Sequence, residues 1–185
     1  MSEGYYCRVD GTYLSVEDVY GVKGAPEDDK KVCMLNRKML RKLRIDIYRE
    51  YKKGKMSLVS WRELRDLIVA GRFAYIIVAG KIVACVALRD YGQFNELGLL
   101  FVHPDYRGQG FAMTMASEML KRAMAMDKPV VVTANMYSTG IFRKLGFAER
   151  PKSDMPTELV KGCKACPQFG KYPSCHCSFM VYEAD

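Results

Sequence analysis

The order of patterned segments predicts an α/β protein: one mixed, mostly antiparallel sheet flanked by helices on both faces. Three observations carry this reading. Two amphipathic helical stretches come first, three β-rich runs follow as a meander, and a strand–helix–strand crossover succeeds them. The 185 residues suit one domain, 1–185, whose C-terminal part includes a Cys-rich segment over 163–177.

Within the first thirty residues, Ser15-Val-Glu-Asp18 fits a capping box for a short helix, and Gly24-Ala-Pro26-Glu-Asp-Asp reads as a loop. The spacing predicts a helix over 32–53, because Leu35, Met39, Leu43, Ile47 and Tyr51 recur every four residues with Lys and Arg on the other face. Gly54 is its stop. A second helix starts at Ser60, where Ser60-Trp-Arg-Glu63 forms a capping box, and ends before Gly71. Runs 73–79 and 82–88 form a hairpin about Gly80-Lys81, and 96–102 is the third strand. Segment 108–126 is helical, with Met113, Ala116, Met119, Leu120 and Ala123 on one face. Residues 129–134 are apolar except Thr133, as in a strand buried on both faces. A further helix over 137–145 ends at Gly146, and Phe179-Met-Val-Tyr182 is a closing strand.

Composition excludes several classes. Hydrophobic residues are 49% and charged residues 27%, as in folded domains and unlike disordered, collagen-like or coiled-coil chains. The longest apolar run, 74–88, is broken by Gly80 and Lys81, too soon for a membrane helix. The start shows no secretory signal, so the seven cysteines are expected to be cytoplasmic thiols or metal ligands. The net charge of +8 favours an anionic partner, although much of the excess lies between Lys30 and Lys55 and fits a solvated helix face as well.

The most informative stretch runs from Leu97 through Arg107-Gly-Gln-Gly-Phe-Ala112. Gly108 and Gly110 lack a Cβ, so backbone N–H groups can approach a ligand, and the following helix start adds unpaired donors and dipole charge. With Arg107 alongside, this would form a phosphate cradle, although a Gly-x-Gly pair by itself is as readily a flexible strand-to-helix turn. The absence of Gly-Lys-Ser/Thr excludes a P-loop, and the missing third Gly and long turn exclude a dinucleotide fingerprint.

Arg107-Gly-Gln-Gly-Phe-Ala112 resembles the Arg/Gln-x-x-Gly-x-Gly/Ala signature of the GNAT superfamily of N-acetyltransferases. Asn135-Met-Tyr-Ser-Thr-Gly-Ile-Phe-Arg-Lys-Leu-Gly-Phe147 resembles the second landmark of that superfamily. The resemblance covers residues 60–149 and implies a parallel strand pair that splays apart around acetyl-CoA. It places the pyrophosphate on Arg107, Gly108, Gln109, Gly110, Phe111 and Ala112. It sets the pantetheine arm along Leu100, Phe101 and Val102, with the N–H near Val102 supporting the developing oxyanion. Asn135 would reach the thioester region. Glu96 corresponds to a carboxylate base, needed because an amine of pKa about 10.4 is mostly protonated at neutral pH. His103 reads as a structural turn residue. Where many relatives carry a proton-donating Tyr, this chain has Phe142, which the resemblance places against the cofactor, so Tyr137 and Ser138 become the nearby candidates for the leaving thiolate.

Cys163-Lys-Ala-Cys166 and Cys175-His-Cys177 could be two zinc half-sites, with His176 in reserve. Free or redox-active thiols and a disulfide remain open alternatives. Cys7, Cys33 and Cys85 are isolated.

The sequence therefore points to an acyl-CoA-dependent transfer of an acetyl group to a primary amine of a small molecule, peptide or protein, with no membrane partner. The alternative is a non-catalytic acyl-CoA-binding sensor of the same fold, for which Phe142 speaks. A nucleic-acid module built on the Cys tail ranks last, because the aromatic residues show no stacking pattern.

Overall fold

The structure is a computed structural model describing residues 4–7, 13–15, 35–164, 166–171 and 175–183. In chain order the strands are β1 (Gly4–Cys7), β2 (Tyr13–Ser15), β3 (Phe73–Val78), β4 (Lys81–Asp90), β5 (Asn95–Val102), β6 (Val130–Ala134), β7 (Phe147–Arg150) and β8 (Ser178–Tyr182). The α-helices are α1 (Arg37–Lys52), α2 (Trp61–Val69), α3 (Phe111–Met124), α4 (Thr139–Lys144) and α5 (Thr157–Cys163). The strands form one mixed sheet in the order β2-β1-β3-β4-β5-β6-β8-β7, with every neighbouring pair antiparallel except β5 and β6. The expected α/β architecture, with helices on both faces, is what the chain adopts.

Local chemistry explains the helix starts. Asn36 caps α1 by accepting the Met39 N–H at 2.9 Å, so the helix begins at Arg37 rather than at residue 32. The Ser60 capping box forms as expected: Ser60 Oγ accepts from Glu63 N at 3.0 Å, and Glu63 Oε2 accepts from Ser60 N. Residues 16–34 lie outside the described residues, and with them the short helix expected after Ser15 and the Gly24 loop; Ser15 itself ends β2.

Helices α1 and α2 cover one face of the sheet. Leu43, Ile47, Leu64 and Leu67 pack there on Phe73, Tyr75, Ile77 and Phe101. Helix α3, with α4 beside it, covers the other face, where Phe111, Met115 and Met119 meet Ala74, Ile76 and Val78. Successive residues of β3 thus enter opposite cores, and all six are buried. The β3–β4 turn is Ala79-Gly80, at φ +48° and +71°, one residue earlier than the expected Gly80-Lys81. Two left-handed residues suit a tight hairpin, and Lys81 is free to start β4.

Two further features position the site. In β5 the alternation breaks: Leu97 packs on the α3 side, whereas Leu99 and Phe101 both pack on the α1/α2 side. Leu99 sits at φ +51°, opposite a register shift between Cys85 and Ala87 of β4. A bulge adds one residue and so exchanges the faces of everything after it. Strands β5 and β6 pair in parallel only at Asn95↔Val130 and Glu96↔Val131. Beyond Glu96 they part, as the resemblance implied.

Candidate active site

The chain from β5 to α3 passes through a 3-10 turn over Pro104–Tyr106, and Gly108 and Gly110 then take φ +77° and +82°. L-residues with a side chain avoid that region, which accounts for both glycines. Among the described residues nothing lies within 4 Å of where a Cβ on Gly108 would stand. Gly110 precedes α3 with no side-chain cap, and the first turn of α3 contains no acid. This helix start therefore presents backbone donors and positive dipole character to the cavity beside it, whose volume is about 480 Å³.

Leu100, Phe101, Val102, Arg107, Gly108, Gly110, Phe111, Ala112, Asn135 and Tyr137 all border this cavity, so most of the residues singled out in the sequence meet at one place. Gln109 is not in its lining. Phe142 belongs to a neighbouring cavity and to the core, where its ring meets Phe147 edge-on at 5.4 Å. Among the described residues the β6-facing edge of β5 past Glu96 has no ladder partner, as a ligand lying along that edge would require.

Arg107 differs from the expectation of a charge aimed at phosphate. Its Nη2 donates to Glu50 Oε2 at 2.6 Å and its Nε to the Val102 carbonyl at 3.1 Å, which ties the glycine turn to α1. Glu50 is buried and also accepts from Lys53 Nζ at 2.7 Å. Burial pushes the Glu50 carboxyl up, but the hydrogen bonds and charges of Lys53 and Arg107 outweigh it and hold the group below the usual carboxylate range. Sequence reasoning passed over Glu50. The available signal was its helical spacing from Leu43 and Ile47, which places an acid on the apolar stripe.

Asn135, just after β6, acts as a clip. Its Oδ1 accepts from Tyr137 N at 2.9 Å and Ser138 N at 3.2 Å, while its Nδ2 donates to the Lys55 carbonyl. That contact fixes the α1–α2 loop over the gap between β5 and β6. Lys55 Nζ lies 4.6 Å from the centre of the Tyr137 ring. His103 has the structural role read from its turn: its Nδ1 accepts from Asp105 N at 3.4 Å.

A second cavity, of about 400 Å³, shares Lys55, Met56, Leu100, Asn135 and Ser138 with the first. It contains Glu96, whose Oε2 accepts from Arg89 Nη1 and from Tyr91 Oη, each at 3.2 Å. Arg89 is also bound to Glu63, Nε to Oε1 at 2.8 Å. Arg89 thus answers one of two carboxylates, and the trio keeps one net negative charge. Partial burial and the neighbouring Glu96 charge push the Tyr91 hydroxyl up to about 12. Tyr91 and Arg89 gave no sequence signal, and Glu63 gave only that of a cap, because the end of β4 and helix α2 meet only in the fold.

The two cavities share lining residues at the strand gap; one ends in a glycine-bearing helix start and the other contains a carboxylate. The chain belongs to the GNAT acetyltransferase family: residues 37–147 match the Acetyltransferase (GNAT) family. It is 28% identical over 92 residues to an amino-acid acetyltransferase of Aliivibrio fischeri, covering 49% of this chain and 21% of that relative. This chain thus spans about a fifth of the length of that curated relative. Its fold is similar to N-acetylglutamate synthase from Neisseria gonorrhoeae, complexed with coenzyme A and N-acetyl-glutamate (TM-score 0.64, 15% identity, 80% of this chain and 33% of that one). It is similar also to Rv2747 from Mycobacterium tuberculosis in complex with CoA (TM-score 0.60, 17% identity, 81% and 96%). Among the described residues no helix is long and apolar enough to cross a membrane.

Proposed function

We propose that this chain transfers the acetyl group of acetyl-CoA to a primary amine within a ternary complex, and that the acceptor is a free amino acid. The observation that carries this reading is the meeting of the two cavities at Leu100 and Asn135, where β5 and β6 part. The glycine turn and the first residues of α3 hold the pyrophosphate. The open edge from Leu100 to Val102 lies along the pantetheine arm, and its N–H groups support the developing oxyanion. Glu96 takes the proton from the acceptor ammonium, directly or through water. Tyr137, on the wall of the first cavity, is the proton donor for the departing thiolate. A thiol pKa of about 8.5 makes that demand small, so Phe142 is tolerated.

Two features support an amino acid as acceptor. The Glu63–Arg89–Glu96 trio keeps one negative charge for an ammonium, and Lys55 borders both cavities without a carboxylate in salt-bridge range among the described residues. A zwitterion matches that pairing. The amino-acid acetyltransferase and N-acetylglutamate synthase among the relatives agree with it.

Thiol release from acetyl-CoA, followed across a panel of amino acids and their methyl esters, tests the reading. Free amino acids should react with the lower KM, Lys55→Met should erase that preference, and Glu96→Gln should cut kcat by roughly 10²–10⁴. Acetyl-CoA binding with no thiol release for any amine would replace this reading with the sensor.

A further inference from the structure

The acetyl transfer proposed above uses none of Cys163, Cys166, Cys175 and Cys177, yet the fold gathers them beside the second cavity and the one adjoining it. Helix α5 ends at Cys163, and Cys166 follows in a turn closed by its own N–H on the Cys163 carbonyl at 2.9 Å. Cys175 donates its N–H to Lys171 O at 2.9 Å, and Cys177 directly precedes β8. Cys163, Cys166 and Cys177 border the cavity that contains Glu96. Cys166, Cys175 and Cys177 border an adjoining one of about 320 Å³. Two of the thiols therefore stand on the wall between the cavities, and Cys177 lies within electrostatic reach of the other three.

We propose that these four thiols bind one zinc ion, which ties the end of α5 to the start of β8 and sets the wall of the second cavity. Four soft sulfur donors suit tetrahedral zinc rather than magnesium or calcium. On binding, each thiol gives its proton to solvent, and four thiolates around a dication leave a charge of −2. Lys152 acts on Cys163 against that charge, and Glu96 acts with it. The thiols are partly exposed, so an ion can enter. Helix α5 packs through Leu159 into a small cluster with Phe94, Val131, Met155 and Phe179, while Phe169 in the connecting chain stays exposed. Among the described residues no three His, Cys, Asp or Glu side chains already stand at ligand spacing. Binding must therefore draw the two Cys pairs together.

The test is independent of acetyl transfer. The reduced full chain, purified without chelator, should carry about one zinc per chain by elemental mass spectrometry. After metal removal, titration with cobalt(II) should give the strong thiolate charge-transfer and visible bands of a tetrahedral sulfur site, and zinc should bleach them. Cys166→Ser and Cys175→Ser should each lower bound metal at least about tenfold, whereas Cys33→Ser should retain it. If the variants fail to fold, the cobalt titration of the unmodified chain decides. A reduced, folded chain without zinc and without cobalt–thiolate bands overturns the proposal, as would peptide mapping that finds these cysteines in disulfides under the same conditions.

Discussion

Replacing Glu50 with Gln keeps its shape and removes its charge, which isolates the tie between α1 and the glycine turn. The wild-type carboxylate accepts two charge-assisted hydrogen bonds, from Arg107 at 2.6 Å and Lys53 at 2.7 Å, and its side chain is 4% exposed. Breaking a fully buried pair costs about 3–5 kcal/mol. Here the cationic partners are 45% and 56% exposed and regain water, so the expected loss is about 2 kcal/mol. For a chain of this size that lowers Tm by about 4–8 °C. The effect depends on pH with a definite sign. The folded pKa of Glu50 lies below the ordinary value of 4.5, so its stabilisation is present above that value and disappears as pH falls through the folded pKa. Denaturant unfolding of both chains from pH 7 to pH 3 should show a gap that narrows below about pH 4.5. A Glu50→Gln/Arg107→Gln cycle should be non-additive, because the two groups share one contact. Equal stability at pH 7, or a gap that widens in acid, would refute the argument.

Gly110→Asp should weaken acetyl-CoA binding at least about 100-fold in a calorimetric titration, because it places a side chain at φ +82° and an anion at the helix start. Cys85 is fully buried between the sheet and α1, with its Sγ on the Leu99 carbonyl, and burial pushes its thiol well up. It should therefore resist a thiol reagent until the chain unfolds, as peptide mapping of partly labelled protein would show. Leu64→Ala empties a site with no exposure under α2 and should cost about 2–5 kcal/mol in denaturant unfolding. In a pH titration of stability, whatever Tyr91 contributes should be present below about pH 10 and lost as pH rises towards about 12. Its raised pKa favours the protonated, folded form, and Tyr91→Phe should flatten that limb.

What the sequence determined by itself is local. The four-residue spacing of Leu35, Met39, Leu43 and Ile47, the Ser60 capping box and the β-rich runs about Gly80 specify elements through neighbours a few residues apart. Gly108 and Gly110 are legible for the same reason, since a left-handed backbone leaves its mark on the residue that adopts it. Strands β1, β2 and β7 carried too little pattern to be read in advance, because strands of three or four residues exist only through their partners. The placement of β8 between β6 and β7 likewise required the sheet. Only the tertiary structure decided that the bulge at Leu99 exchanges the faces of β5, that β5 and β6 part after Glu96, and that Glu50 reaches Arg107 across 57 positions of chain. Each depends on the register of strands and helices distant in sequence. Side-chain types alone do not encode register; the packing of two cores on one sheet selects it.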